Sequence, residues 1–567
     1  MPKTTKHFIK DLWALTKPYW FSEERWVARG LLAAIVSLNL GLVYVNVLIN
    51  KWNNDFYNTL QNMDKEGFFH QILKFCLLAL VFILFAVYQL YLKQMLQIKW
   101  RRWLTANYIN DWTSHRTYYY LQLTGNDTDN PDQRIADDLN RFCENTVRLS
   151  LGLLSSIVTL VTFITILWGL SGSIDIPFNG SKLTIPGYMV WVALIYAVGG
   201  TYLSHIIGRA LINLNFNQQK FEANFRFSLI RFRENAESIA LYHGEKDEKI
   251  SLEHSFTFIR DNWWALMKRT KSLTWFQSGY GQIANIFPYV VAAPRYFAGS
   301  IKLGGLMQIG SAFGQVQDAS SWFVSAYGDL AEWRATVERL TTFRLAMDQA
   351  QSKMRHANQL KITPSTSAHY ALNKVSLNLP DGKQLLNQID LEFKAAEHVL
   401  ITGPSGCGKS TLFRTLSGIW PFASGTVVRP EQASVLFLPQ KPYLTIGTLR
   451  EQLSYPAPAG SFTDQQMVET LLACGLDKFT ERLNETEHWS HLLSGGEQQR
   501  IAICRALLQK PDWLFLDEST SAVDESTEEK LYQTLQQQLP NTTIISIGHR
   551  TSLEKLHHKT LNLSTLA

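Results

Sequence analysis

Charge is scarce in this chain. Of its 567 residues only 18% are Asp, Glu, Lys or Arg, while 12% are aromatic and 17 are tryptophan. Globular domains carry about 25% charged residues, so the deficit, together with the tryptophan excess, points to contact with lipid. A mean hydropathy of -0.08 is too low for a wholly embedded chain, so a soluble part dilutes an apolar one. Cysteine is scarce too. Cys76, Cys143, Cys407, Cys474 and Cys504 show no paired spacing, which argues against a disulfide framework and a thiolate metal site and fits a reducing compartment. No basic run with interleaved aromatics occurs, so a nucleic-acid partner is not expected. The net charge of +6 reads as lysine and arginine of cytoplasmic loops. The opening "MPKTTKHFIKDLW" is basic, but no cleavable apolar stretch follows it, so no secretory leader is expected.

Long uncharged runs are what the chain does have. Gly30 to Asn50 and Leu149 to Ile174 each suffice for a hydrocarbon core of roughly 30 Å at about 1.5 Å per residue. Phe75 to Leu92 is shorter but adequate, and Leu183 to Gly208 is interrupted only by His205. Ser272 to Pro294 and Leu303 to Gly328 are weaker, with glycines, glutamines and Asp318. Six spans are therefore expected: 30–50, 75–92, 149–174, 183–208, 272–294 and 303–328. Lys99, Arg101, Arg102, Arg116, Arg134 and Arg141 crowd the segment after the second span. Arg209, Lys220, Arg226, Arg231, Arg233, Lys268, Arg269 and Lys271 crowd the one after the fourth. The alternate loops are short and hold little beyond Lys51, Lys65 and Lys182. The positive-inside rule then places the N-terminus, both long loops and the C-terminal half in the cytoplasm.

After Gly328, "DLAEWRATVERLTTFRLAMDQAQ" is charged and helical in period, and "HANQLKITPSTSAHY" breaks it. This divides the chain into an all-α transmembrane domain, 1–360, and an α/β domain, 361–567. In the second, apolar strands at Val399–Thr402, Val435–Leu438 and Trp513–Leu516 alternate with helices, as in a nucleotide-binding fold. "GPSGCGKST" follows the strand "HVLIT" and precedes the helix "LFRTLSG". It is a P-loop in its strand–loop–helix setting: Gly403, Pro404, Ser405, Gly406, Cys407, Gly408, Lys409, Ser410 and Thr411. The glycines let backbone wrap phosphate, Lys409 reaches the β- and γ-phosphates of ATP, and Ser410 offers its hydroxyl to Mg²⁺. "WLFLDE" ends a strand in two carboxylates, Asp517 to hold the metal and Glu518 to take a proton from water. Gln440 in "FLPQKP" and His549 in "SIGHR" follow two other apolar strands, within reach of the γ-phosphate or as plain surface side chains. "LSGGEQQR" sets Ser494, Gly495 and Gly496 at a helix start, where outward amides and the positive dipole end make an anion site.

Together these stretches resemble the ATPase of ABC transporters over its whole length. The order is that of the family: P-loop, glutamine loop at Gln440, signature at Leu493–Arg500, acidic strand with Glu518, D-loop at Ser521–Asp524 and switch His549. The resemblance implies Glu518, His549 and Gln440 as catalytic groups, and Ser410, Gln440 and Asp517 around Mg²⁺. It also implies two ATPases packed head to tail, Ser494, Gly495 and Gly496 of each capping ATP on the other's P-loop. One P-loop, one signature and six spans per chain look like a half-transporter working as a homodimer. One position departs. Where the family stacks adenine on an aromatic, "KVSLNLPDG" offers Leu379, and Tyr370 is the nearest alternative.

The membrane half carries its own resemblance, in "INKWNNDFYNTLQNMDKEGFF", "IKWRRWLT" and "YYYLQLTGNDTDNPDQRIADD". These look like the BacA/SbmA peptide-uptake proteins, their ATPase-bearing bacterial relatives and, more distantly, the peroxisomal acyl-CoA transporters of subfamily D. In "NPDQRIADD", Asn130 or Asp132 is placed to cap a helix with Pro131 in its first turn. The family makes this a coupling segment that touches the ATPase, and "RENAESIALYHGEKDEK", around Glu237 and Glu245, matches a similar region. "WNNDFYN" reads as an interfacial aromatic belt with a polar turn, or as lining of the outer mouth. In the sixth span, Gln308, Ser311, Gln315 and Asp318 fall near one helical face, a polar stripe suited to a wet cavity. The alternative pairs Asp318 with a loop base such as Arg269. The expected activity is ATP hydrolysis coupled to transport across a bacterial inner membrane. The cargo is hydrophilic, a peptide or cobalamin-like molecule. Acyl-CoA or lipid cargo is the alternative, ahead of an ATP-gated regulator or a soluble ABC ATPase.

Overall fold

The computed structural model describes residues 5–123, 130–178, 181–357 and 359–565. Two compact units make up the chain: Met1–Asp111 with Thr128–Leu345, and Trp112–Asp127 with Ala346–Ala567. The division thus falls earlier than residue 360, and a stretch of the first long loop belongs with the C-terminal unit.

The first unit is helical. Its elements are α1 (Thr5–Trp20), α2 (Arg25–Gln61), α3 (Lys65–Thr113), α4 (Leu139–Ser171), α5 (Tyr188–Glu234), α6 (Ala236–Tyr242), α7 (Glu245–Phe297) and α8 (Leu303–Ala357), the last turns of α3 and α8 lying in the second unit. Among the described residues four stretches are long and apolar enough to cross a membrane: Arg25–Gln61, Lys65–Leu123, Pro131–Ser171 and Tyr188–Glu234. The expected spans 272–294 and 303–328 lie inside α7 and α8, and their glycines, glutamines and Asp318 keep these helices below that apolarity.

Two expected span ends are corrected. Helix α4 stops at Ser171 and α5 starts only at Tyr188. Between them β1 (Ser173–Phe178) and β2 (Ser181–Pro186) pair antiparallel, Ser173 opposite Pro186. The alternation in "SIDIPF" and "SKLTIP" has period two, which suits a strand and not a helix. At the junction, Gly187 has φ +63°, and a Cβ there would meet the Trp168 ring at 2.4 Å. Arg295 of α7 donates to the Leu170 carbonyl at 2.9 Å and so caps α4 with a cation.

Packing of α4, α5, α7 and α8 centres on Phe163, Leu167, Met189, Ala292, Ile309 and Phe313. Tyr196 and Tyr280 stack at 4.3 Å, and each hydroxyl donates to the other residue's carbonyl, at 2.6 and 2.7 Å. This reciprocal pair pins α5 to α7. "WNNDFYN" is not a turn. Helix α2 continues through it to Gln61 and presents a polar ladder. Asn50 exchanges bonds with the backbone and side chain of Gln308, Asn54 donates to Gln308 at 2.7 Å, and Asn58 accepts from the Gly304 amide. The ladder satisfies free amides at the start of α8.

"NPDQRIADD" lies in the first unit. Asn130 adopts a left-handed conformation (φ 50°) and its side chain makes no cap, nor is Asp132 the cap residue; Pro131 does stand in the first turn. Residues 124–129 of the quoted loop lie outside the described residues. Arg134–Asp138 widens into a π-helical turn that delivers Asp138, 2% exposed, to two arginines. Arg339 donates to both carboxylate oxygens at 2.9 and 2.7 Å, and Arg134 adds a third bond at 2.8 Å. Burial pushes the Asp138 carboxyl up, but the hydrogen bonds and charges of Arg339 and Arg134 outweigh it and hold it below the usual carboxylate range.

The second unit is α/β. Strands β3 (Gln359–Ser365), β4 (His369–Asn378), β5 (Gln384–Lys394) and β7 (Ala423–Pro430) form a sheet in the order β3-β7-β4-β5. A parallel sheet holds β6 (Val399–Thr402), β8 (Val435–Leu438), β9 (Trp513–Asp517), β10 (Thr543–Ile547) and β11 (Lys559–Asn562), in the order β11-β6-β10-β9-β8. Tyr370 is 1% exposed and meets Trp513 and Phe515 edge-on. It belongs to the core, so it is no platform for a base. The loop segment that joins this unit is Trp112–Leu123, upstream of the expected 130–138. Arg116 donates to the Gly418 carbonyl at 3.1 Å, and Leu123 packs on the core around Tyr370.

Asp138→Asn should lower stability by about 1.5–3 kcal/mol, because two half-buried guanidinium groups lose their charged hydrogen-bond acceptor. Thermal unfolding of the detergent-solubilised protein measures this. With the folded pKa depressed, the stabilisation is present above the ordinary carboxylate range and is lost as pH falls through the depressed value.

Candidate nucleotide site

Strand β6 ends at Thr402 and the helix Lys409–Leu416 starts after six residues. Gly403, Gly406 and Gly408 have φ of +144°, +83° and +100°, a region closed to most side chains. The loop thereby turns its backbone inward above the parallel sheet. Pro404, Ser405 and Cys407 complete the turn, with the Cys407 amide donating to the Pro404 carbonyl. Lys409 is 6% exposed, and its ammonium donates to the carbonyls of Gly403 and Pro404 at 2.8 and 3.0 Å. It is folded into the mouth of its own loop, where a phosphate would compete for it.

Ser410 donates to Asp517 at 3.0 Å. Burial pushes the Asp517 carboxyl up, the Ser410 hydrogen bond opposes this, and the neighbouring Glu518 charge adds to the rise. A hydroxyl and a carboxylate at this spacing, with the Gln440 amide nearby, are oxygen donors of the kind a hard divalent cation takes. Such a cation would reverse the unfavourable charge at Asp517. Glu518 has φ +47°, and its amide donates to the Ile547 carbonyl at 3.1 Å. Gln440 donates to one carboxylate oxygen at 2.8 Å, and His549 Nε2 stands 3.0 Å from the other. The structure therefore brings Gln440, Glu518 and His549 into one cluster at the carboxyl ends of β8, β9 and β10.

Ser494 caps the helix Gly495–Gln509 in a capping box with Glu497, and Lys478 pairs with Glu497 at 2.6 Å. A Cβ on Gly496 would meet the Ala522 carbonyl at 3.0 Å, so the D-loop packs close against this helix start. Among the described residues no hydrogen bond joins 494–496 to the P-loop, 403–411. Leu379 sits half-buried in the β4–β5 turn, its amide bonded to the Lys383 carbonyl, and it packs on the same core as Cys407.

Sequence reasoning missed Gln499. Its side chain, 4% exposed, donates toward the Gln440 carbonyl at 3.0 Å, the Ser521 hydroxyl at 3.2 Å and the Glu518 carbonyl at 3.3 Å. It also accepts from the Ala522 amide at 2.8 Å. One amide thus ties the signature helix to the glutamine loop, the acidic strand and the D-loop. Arg550 was missed as well. It donates to the Val523 and Ser521 carbonyls at 2.8 and 3.1 Å and holds the D-loop from the other side. The available signal was position: Gln499 lies inside the signature motif and Arg550 directly follows His549.

A family model for ABC transporter transmembrane region 2 matches residues 15–297, and one for ABC transporters matches 386–521. The inner membrane ABC transporter ATP-binding protein YddA of Escherichia coli (strain K12) is 33% identical over 100% of this chain and 99% of its own. The chain belongs to the ABC transporter family. ABC transporter D family member 2, chloroplastic, of Arabidopsis thaliana is 34% identical, covering 98% of this chain and 87% of that one. The lysosomal cobalamin transporter ABCD4 of Homo sapiens is 29% identical, covering 99% and 96%. A bacterial Atm1-family ABC exporter with ATP bound shares the fold, with a TM-score of 0.68 over 94% of this chain and 93% of that one at 17% identity. The protein is thus a subfamily D-like half-transporter, a membrane protein whose ATPase drives transport.

Gln499→Leu should leave ATP affinity within about twofold and lower hydrolysis about tenfold or more, since it removes several buried hydrogen bonds worth roughly 0.5–1.5 kcal/mol each from the catalytic loops. Steady-state ATPase assays, read as kcat against KM, measure the split.

Proposed function

We propose that the transporter works as a homodimer in a bacterial inner membrane, with six spans per chain and the ATPase in the cytoplasm, and that it takes up a water-soluble cargo. The observation that carries the cargo reading is a cavity of about 400 Å³ among α2, α7 and α8, lined by Asn53, Tyr57, Asn285, Ser311, Gln317 and Asp318. A second cavity of about 450 Å³ shares Gly281 and Gln317 with it; its wall is mostly apolar, with Ile212, Leu273 and Tyr280, and carries the polar groups of Thr201, Ser204, Gln277 and Ser321. The amides, hydroxyls and carboxylate of the first cavity suit a hydrated cargo, and an acyl chain would leave them unsatisfied. The polar face differs in detail from the expected stripe. Gln308 is drawn off to Asn50 and Asn54, and Gln315 lines neither cavity; Gln317 takes its place. Asp318 is exposed and has no ion pair with Arg269 among the described residues. The peptide and cobalamin-like classes both fit such a route, and one relative is named as a cobalamin transporter.

In this reading ATP lies with its phosphates in the loop 403–411, Lys409 leaves its carbonyls for the β- and γ-phosphates, and Leu379 covers the adenine. Ser410, Asp517 and Gln440 would hold Mg²⁺, whose charge offsets that of the phosphates. Glu518 is the base that takes a proton from the attacking water, with His549 and Gln440 positioned by it. The signature of one chain and its own P-loop share no hydrogen bond, so Ser494, Gly495 and Gly496 complete the partner's site. Closure of the pair on ATP and reopening after hydrolysis move the cavity between sides.

A mixed dimer tests the shared site. Pairing a Lys409→Ala chain with a Ser494→Arg chain places both defects in one composite site and leaves the other intact. Each variant alone should be inactive, and the mixture should regain hydrolysis to at most half of wild type. Activity of either variant by itself would overturn the head-to-tail arrangement.

For the cargo route, Asp318→Asn should cut transport about tenfold, the scale of losing a charged hydrogen bond, and spare basal ATPase. In a background without the native cysteines, Asp318→Cys should react with a water-soluble thiol reagent. A thiol unreactive in every nucleotide state would refute a hydrated cavity.

A further inference from the structure

The helix Glu525–Gln538 follows the D-loop and belongs to none of the motifs of the nucleotide site. It carries a carboxylate where water barely reaches: Glu528 is 2% exposed. A buried carboxylate is tolerated where its oxygens and its charge are matched. Both oxygens of Glu528 have partners. The Thr520 hydroxyl, itself buried, donates to one at 2.6 Å, and the Arg550 guanidinium donates to the other at 3.3 Å. One turn further along the same helix, the Tyr532 hydroxyl donates to the Ser546 hydroxyl of β10 at 3.0 Å. The helix is therefore fastened at two places to the segment that carries His549.

The two partners of Glu528 flank the Glu518–His549 contact. Thr520 stands two residues after Glu518, and Arg550 comes directly after His549. His549 Nε2 and a Glu518 carboxylate oxygen are 3.0 Å apart. A single carboxylate thus anchors the chain just beyond both members of that contact. Arg550 makes its other bonds to the Val523 and Ser521 carbonyls, so without Glu528 it would be tethered to the D-loop and no longer to the helix behind it. A hydrogen bond with a charge on each side is stronger than a neutral one. Here it fixes two loops whose side chains meet, and a misplacement of about 1 Å at such groups costs rate steeply.

We propose that Glu528 is a positioning residue for ATP hydrolysis. It acts through other side chains and not on the reacting atoms. By holding Arg550 and Thr520 it keeps His549 against Glu518, and its effect on rate passes through that contact. The inference rests on the assignment of Glu518 and His549 to hydrolysis. It is independent of the cargo.

The test is single-turnover hydrolysis by the full-length, detergent-solubilised transporter in excess over ATP with Mg²⁺. A misfolded fraction then changes the amount of ATP bound and not the rate constant, so a merely structural role would leave the rate constant alone. Glu528→Gln keeps the size of the side chain and an oxygen for Thr520 but removes the charge facing Arg550. It should lower the rate constant about tenfold, the scale of a charged hydrogen bond, and leave ATP affinity within about twofold. In a His549→Ala background, and separately in an Arg550→Met background, the same substitution should cost less than about twofold further, because residues that act as one unit are not additive. Arg550→Met leaves Glu518 and His549 in place, so its rate stays measurable. An unchanged rate constant in Glu528→Gln, or the full tenfold loss repeated in either background, would overturn the proposal. Hydrolysis at the wild-type rate by Glu518→Gln would be a different failure, that of the base assignment beneath it.

Discussion

The ATPase half is organised around a glutamate held where glutamate does not rest easily. Glu518 adopts a left-handed backbone, which costs a non-glycine residue roughly 1–2 kcal/mol. That conformation turns its amide to the Ile547 carbonyl and points its carboxylate between Gln440 and His549. Its own carbonyl accepts from Gln499. Three separate segments therefore meet on one residue, and the surrounding structure over-determines its strain. The P-loop shows the same tension on the phosphate side. Three positive-φ glycines shape the loop, and the Lys409 ammonium donates to the loop's own carbonyls, those of Gly403 and Pro404.

The membrane half is governed by a different constraint, the need to satisfy polar groups out of water. The reciprocal Tyr196–Tyr280 bonds, the Asn50–Gln308–Asn54 ladder and the Arg295 cap on α4 each join two helices through groups that would otherwise be orphaned. They concentrate where glycines allow close approach. A Cβ on Gly200 would meet the Tyr280 ring at 2.1 Å, and one on Gly304 the Asn54 carbonyl at the same distance. Other polar residues, among them Asn53, Asn285, Ser311, Gln317 and Asp318, line a cavity among α2, α7 and α8.

Much of this was legible in the sequence, for a physical reason. A P-loop, a strand end with two carboxylates and a serine–glycine helix start are local objects. Their chemistry depends on backbone conformation over four to nine residues, and glycine spacing encodes that directly. Apolar length is likewise local, so the long helices of the membrane half were visible as runs. Where the reading failed, the deciding interaction was remote. Gln308 sits on the expected stripe by period, yet Asn50 and Asn54 on another helix claim it. Tyr370 lies near Leu379 in sequence order, yet Trp513 and Phe515 bury it. The hairpin at Ser173–Pro186 was hidden inside apolar runs because apolarity alone does not separate a strand from the end of a span.

Sequence alone therefore determined the family, the two-part architecture and the candidate groups of a nucleotide site, because each is written in short-range spacing. Tertiary structure alone decided which of those groups touch. It set Gln499 as the tie between signature and acidic strand, Trp112–Leu123 as the loop segment of the ATPase unit, and Gln317 with Asp318 as the cavity wall. Such assignments depend on partners tens or hundreds of residues away, and a side chain with several possible partners takes the one that packing brings within hydrogen-bonding distance.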